Sequence, residues 1–178
     1  MAYAVELSFD EAADAKVRAV WQAIEDVRIS TTLRNDAGQP HMTLGVAALI
    51  DMRTIEQALR QFASAIPALT LSFEHIGLFH TSENAVFLAP IVTAQLLHMH
   101  TDFHGLFAQH TQERWPYYLP GGWVPHCTLA HKVPSAQLAT VIGIARSMRL
   151  PLRARVRRLA VVEVAVATPR QMFSVEVG

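Results

Sequence analysis

The chain has 178 residues, 51% hydrophobic and 17% charged, and its fifteen basic and fifteen acidic side chains cancel to zero net charge. That composition supplies a sizeable core and too little charge for disorder, without the basic excess of a protein that grips long nucleic acid through many phosphates. A nucleic-acid substrate should therefore be short, a chain end or a small nucleotide, and the single cysteine, Cys127, excludes an internal disulfide framework.

Tyr3–Phe9 alternates apolar and polar residues as a first strand does. Asp10 can cap a following helix whose apolar stripe is Ala12, Val17, Val20, Trp21 and Ile24. The polar stretch Ser30–Gln39 reads as a loop, and His41–Ile50 as a strand leading to a second capping residue, Asp51. Ile55, Leu59, Phe62 and Ile66 then recur at helical spacing, and Leu69–Phe79 and Ala85–Val92 form two strands around a turn. In the second half Thr93 opens a helix to about Gln109 with Leu96, Met99, Phe103 and Phe107 inward. The loop ERWPYYLPGGWVP leads to a strand His126–Val133, a helix with Leu138, Val141, Ile142 and Ala145 inward, and extended segments at Leu152–Val166 and Met172–Val177. No linker separates independent domains, so the expectation is one α+β domain, residues 1–178. Its approximate lobes are 1–84 and 85–178, with strands free to exchange between them. No run approaches the ~20 apolar residues of a membrane span, and the start lacks signal-peptide features. These point to a cytoplasmic protein with no membrane contact and no obligate protein partner.

The pattern Pro-His-x-Thr-Leu occurs twice, at Pro40–Leu44 and Pro125–Leu129, nearly half the chain apart. On a strand, residues i and i+2 share a face. His41 therefore projects with Thr43, and His126 with Thr128, while Met42, Leu44, Cys127 and Leu129 point into the core. This sets Cys127 on the opposite face from its neighbour His126 and makes it a buried structural thiol rather than a nucleophile. The prolines fix φ and cannot donate to a ladder, which suits a strand start. If the two halves pack about a pseudo-twofold axis, the two His/Thr pairs face each other across a cleft. Opposed imidazoles suit in-line displacement at phosphorus: one takes a proton from the attacking oxygen and the other gives one to the leaving oxygen. The threonine hydroxyls can donate to non-bridging phosphate oxygens.

The paired HMTL and HCTL resemble the His-x-Thr/Ser-x signature of the two-histidine (2H) phosphoesterase superfamily, which includes the 2′-5′ RNA ligase-like proteins and RNA 2′,3′-cyclic phosphodiesterases. The resemblance implies a bilobal α+β fold of two pseudo-symmetric sheet-plus-helix lobes with the active cleft between them. It also implies action without a cofactor or metal on a nucleotide or an RNA terminus. The implied reaction opens a 2′,3′-cyclic phosphate to a 2′-phosphomonoester, with weak 2′-5′ ligase activity in reverse in some members. It assigns His41 and His126 as the catalytic histidines, and Thr43 and Thr128 as the phosphate-holding hydroxyls. By the same analogy His41 protonates the leaving O3′ and His126 activates water, although near-symmetry also allows the reverse. Some RNA-acting members carry a basic residue five positions after the second histidine. Here that place is His131, followed by Lys132, which weakens the implied phosphate contact.

Other residues have two readings each. Tyr117, Tyr118 and Trp123 either stack on a base or ribose or plug the gap between lobes. His100 and His104, spaced i, i+4, either ligate zinc or serve as hydrogen-bonded core histidines. Arg149, Arg153, Arg155 and Arg157 alternate to form either a cationic wall at the cleft or a solvated sheet face, and Arg34 either reaches a substrate phosphate or faces solvent. The rival functions are a 2H enzyme for 2′-5′ oligonucleotides or an ADP-ribose cyclic phosphate, a non-catalytic nucleotide-binding module, and a zinc hydrolase built on His100 and His104.

Overall fold

The computed structural model describes residues 1–29, 38–164 and 169–177. In chain order it comprises β1 (Tyr3–Phe9), α1 (Glu11–Asp26), β2 (His41–Ile50), α2 (Met52–Ala65), β3 (Thr70–Phe79), β4 (Ala85–Pro90) and α3 (Ala94–Phe107). There follow β5 (Thr111–Arg114), a short 3-10 turn (Pro116–Tyr118), β6 (Cys127–Ala130), α4 (Leu138–Ala145), β7 (Leu152–Glu163) and β8 (Arg170–Glu176). Every strand pairing is antiparallel, and the fold is the expected α+β type.

β7 is common to two sheets. Residues 156–163 pair with β1, and 158–163 with β8, giving the order β5-β2-β1-β7-β8. Its first four residues, Leu152–Arg155, pair with β3, which continues through β4 to β6. Each sheet thus draws strands from both halves of the sequence. The helices exchange too: α1 packs against α4, β6 and β7, whereas α2 packs on β8 and α3, and α3 on β2.

Asp10 fixes the point where β7 passes from one sheet to the other. Its side chain caps α1 by accepting from Ala13 N at 3.1 Å. Its other oxygen accepts from Arg155 N at 2.6 Å. Burial works against the charge, but the main-chain donors of Arg155 and Ala13 outweigh it and hold the Asp10 pKa below its ordinary value.

The core follows the periodicity. Ala13, Val17, Val20, Trp21 and Ile24 are the buried face of α1, with Ala13 in place of the expected Ala12. Leu96, Met99, Phe103 and Phe107 are buried on α3 together with His100 and His104. Gly45 is what lets α3 lie against β2, because a Cβ there would stand 3.0 Å from both phenylalanine rings. Phe103 is wholly buried; truncating such a side chain to alanine costs about 3–5 kcal/mol. β5 falls inside a segment expected to precede or belong to a loop. It is a four-residue edge strand, TQER, with no apolar alternation to announce it.

Candidate active site

Both copies of the duplicated motif form the same local structure. In each, the imidazole Nδ1–H donates to the carbonyl two residues back: His41 to Gln39 O and His126 to Val124 O, both at 2.7 Å. A carbonyl can only accept, so Nδ1 carries the proton and Nε2 is left for other partners. In each, the ladder skips the leucine: Glu6 pairs with Thr43 and Val5 with Gly45, while Phe87 pairs with Thr128 and Val86 with Ala130. Leu44 and Leu129 are thus the extra residues of two equivalent bulges. In each, a tryptophan from a distant element donates its indole N–H to the threonine carbonyl, Trp123 to Thr43 O at 3.0 Å and Trp21 to Thr128 O at 3.1 Å.

The two copies meet. β2 and β6 pack together; the His41 main chain is close enough to the Cys127 thiol to act against the rise in its pKa, and His41 is near enough that its charge helps lower the pKa of His126. Cys127 is 1% exposed and its thiol pKa is pushed up to about 12 by burial, so it is no nucleophile at neutral pH. His41, Thr43, His126 and Thr128 are all half-buried, accessible from the open faces of the two sheets.

The surroundings of the two imidazoles differ. His126 sits edge-on to Phe79 with centroids 4.9 Å apart, and against Phe87 at 5.3 Å. Desolvation by this aromatic cage is the main reason its pKa is lowered, with the charge of His41 adding to it. His41 instead has a carboxylate, Glu6 Oε1, 3.5 Å from its Nε2. Glu6 and Phe87 occupy corresponding positions, each the register partner of a motif threonine. Neither they nor Phe79 are marked in the sequence. Glu6 fits the ordinary apolar–polar alternation of β1 and so gives no signal of its own.

Of the aromatic loop, Trp123 is buried; its indole is committed to Thr43 O and its ring stacks on His100 at 3.8 Å. Tyr118 packs over Ala4 and Val46 beside the cleft, and burial followed by the charge of Glu6 raises its pKa. Tyr117 is 81% exposed at the rim, with Trp115 also exposed. His131 is half-buried just beyond β6, and exposed Lys132 follows in a left-handed turn at φ 56°. Arg34 lies outside the described residues.

His100 and His104 are buried, and both Nε2 atoms lie on Leu44 O, at 3.0 and 3.1 Å. Both must donate there, so the two rings jointly satisfy the carbonyl of the bulged residue and hold the first motif in place. Burial, then the charge of His104, brings the His100 pKa down to about 4. No group of three or more potential ligands is placed to hold a metal among the described residues. Arg153, Arg155 and Arg157 are exposed along β7. Arg149 is separated from them: it lines a surface cleft of about 540 Å³ with Lys16, Val20 and Met148, away from the motifs. No described helix is long and apolar enough to cross a membrane.

Two sheets sharing a strand, with a His/Thr pair on each, define a phosphoesterase-type fold of the two-histidine class. The chain belongs to the 2′-5′ RNA ligase superfamily, whose family model matches residues 14–167. That membership supports a phosphodiesterase- or ligase-like enzyme. Among solved structures, Escherichia coli LigT complexed with 3′-AMP is 15% identical, with a TM-score of 0.63 over 98% of this chain and 96% of that one. TT0787 of Thermus thermophilus is 14% identical, with a TM-score of 0.63 over 99% of this chain and 98% of that one. Kluyveromyces marxianus Usb1 is 8% identical, with a TM-score of 0.54 over 96% of this chain and 97% of that one. At these identities the likeness is one of fold. No match is found among curated protein sequences.

Proposed function

We propose that the protein opens a 2′,3′-cyclic phosphate, on a nucleotide or at an RNA 3′ end, to the 2′-phosphomonoester. In this reading water attacks phosphorus in line with the bond to O3′. His126 Nε2 takes the water proton as the new P–O bond forms, and His41 Nε2 gives a proton to O3′ as the old bond breaks. Thr43 and Thr128 donate their hydroxyl protons to the non-bridging oxygens, whose charge grows in the transition state. The observation that carries the reading is the matched pair of Pro-His segments, each with Nδ1 held by a main-chain carbonyl and Nε2 left for proton transfer. The assignment of base and acid rests on their surroundings. The aromatic cage keeps His126 neutral and able to accept near pH 7, which leaves the acid's part to His41. The nucleotide complexes of neighbouring folds, LigT with 3′-AMP and with NADP+ and Usb1 with uridine monophosphate, favour a nucleotide substrate.

The test is a screen of the four nucleoside 2′,3′-cyclic phosphates and a short RNA ending in one, with product isomers resolved and chelator present throughout. Turnover should persist in chelator and fall by about 10²–10⁴-fold in His41→Ala and in His126→Ala. Turnover confined to 2′-5′ oligonucleotides or an ADP-ribose cyclic phosphate would keep the chemistry and replace the substrate. Binding without turnover of any of them would overturn the enzyme reading.

A further inference from the structure

Register places a line of arginines on the same open surface as the catalytic motifs. His41 pairs with Ser8, Ser8 with Arg158, and Arg158 with Glu176, so these four side chains share one face in one row across four strands. At about 4.8 Å per strand, Arg158 stands roughly 10 Å from His41. In the other sheet Thr128 pairs with Phe87, and Phe87 with Gly77. The register shift at Glu74 restores that face at Ser72 and Thr70, which pair with Arg153 and Arg155. Arg153 and Arg155 therefore lie on the face that carries His126 and Thr128. Between them and Arg158, the register of β7 slips at Arg157. The slip switches the exposed positions from odd to even numbers and keeps all four guanidinium groups on one side.

The ion pairing is uneven. Arg158 is held by Glu176 at 2.8 Å, whereas Arg153, Arg155 and Arg157 have no ion pair among the described residues. Two acids beside the line have other partners: Asp10 accepts from the Arg155 main chain, and Glu74 accepts from Ser72 Oγ at 3.0 Å. A merely solvated face of a protein with balanced charge would be expected to intersperse the two signs. Along β7, residues two apart are about 6.6 Å apart, close to the step between successive phosphates of an extended single strand.

We propose that this line on β7 is a track for the phosphates of a single-stranded oligoribonucleotide whose terminal phosphodiester occupies the two-histidine cleft. The substrate is then a chain of several nucleotides rather than a mononucleotide. The oligonucleotide runs from the cleft past Arg158 and Arg157 to Arg155 and Arg153. Local charge density, not net charge, supplies its affinity. The proposal rests on the cyclic-phosphate reading for its orientation and not for its existence, since the track binds phosphates whether or not the cleft turns them over.

Two measurements separate these. In the first, binding of a labelled single-stranded RNA of about six nucleotides with a 3′-phosphate is followed by anisotropy over a salt series. Wild type is compared with Arg153→Gln/Arg155→Gln/Arg157→Gln and with the triple lysine variant. The glutamine variant should lose roughly 2 from the magnitude of the slope of log K against log salt, at about 0.7 for each phosphate left without its cation, and the lysine variant should retain it. An unchanged slope in a glutamine variant of unaltered melting temperature overturns the track. In the second, the ratio of kcat/KM for a cyclic-phosphate-ended RNA to that for a nucleoside 2′,3′-cyclic phosphate should fall about tenfold in the glutamine variant. Equal losses on both substrates also overturn the track. Absence of turnover in wild type with the salt slopes as expected overturns the cyclic-phosphate reading and leaves the track standing.

Discussion

The two motif strands are copies in backbone and opposites in environment. Each holds its histidine by Nδ1, skips a leucine in its ladder and fastens its threonine carbonyl to an indole. Yet the residue across from one threonine is Glu6 and across from the other is Phe87. Duplication supplies two interchangeable imidazoles, and one register position on a neighbouring strand makes them unequal. That inequality favours a division of labour between acid and base, which identical surroundings would leave undecided.

After loss of either histidine, the largest effect should come from attacking the hydroxyls that the halves share. Thr43→Val and Thr128→Val each remove one donor from the phosphate site, and each should lower kcat by about 10²-fold with melting temperature nearly unchanged. A loss at only one threonine would show that the symmetry of the backbone is not used. Next comes the difference. If neutral His126 is required, the acid limb of the rate profile lies below the ordinary histidine value of 6.5. Phe79→Ala admits water to the cage and should move that limb to higher pH; a limb that stays put would remove His126 as its source. Glu6→Gln should act through KM, lowering it severalfold, because a carboxylate 3.5 Å from His41 Nε2 repels an arriving phosphate by an amount on the order of 1 kcal/mol. A fall in kcat with KM unmoved would instead make Glu6 part of the chemistry. The smallest effect concerns stability. The folded His100 pKa of about 4 lies below its ordinary 6.5. The unfolded chain therefore binds more protons in that window, and stability present above pH 6.5 is lost as pH falls toward 4. His100→Gln should flatten that slope in denaturant titrations; an undiminished slope would assign it elsewhere.

What the sequence discloses here depends on whether a residue acts along its own strand or across to another. The two motif strands were legible because the His-x-Thr spacing, the preceding prolines and the inward-facing Cys127 are all local, and repetition singled them out. The helices were legible from periodicity, with Asp10, Asp51 and Thr93 at their caps. Glu6, Phe79 and Phe87 were not, because their relation to the histidines is made by cross-strand register. Trp21 and Trp123 looked like core or stacking residues, and only tertiary structure directs their N–H groups to the two threonine carbonyls. The His100/His104 pair, spaced like metal ligands, serves instead a carbonyl freed by a bulge that no pattern foretold. The arginines of β7 could be read in alternation, but the slip at Arg157 that aligns them, and the parting of Arg149 from them, could not.

A single strand threads both sheets, and this has a mechanical consequence. β7 is hydrogen-bonded to β1, β3 and β8, so the strands that carry the two histidines are joined through one continuous backbone. Amides in the middle of β7 should accordingly be among the last to exchange with solvent, opening only when the whole molecule does.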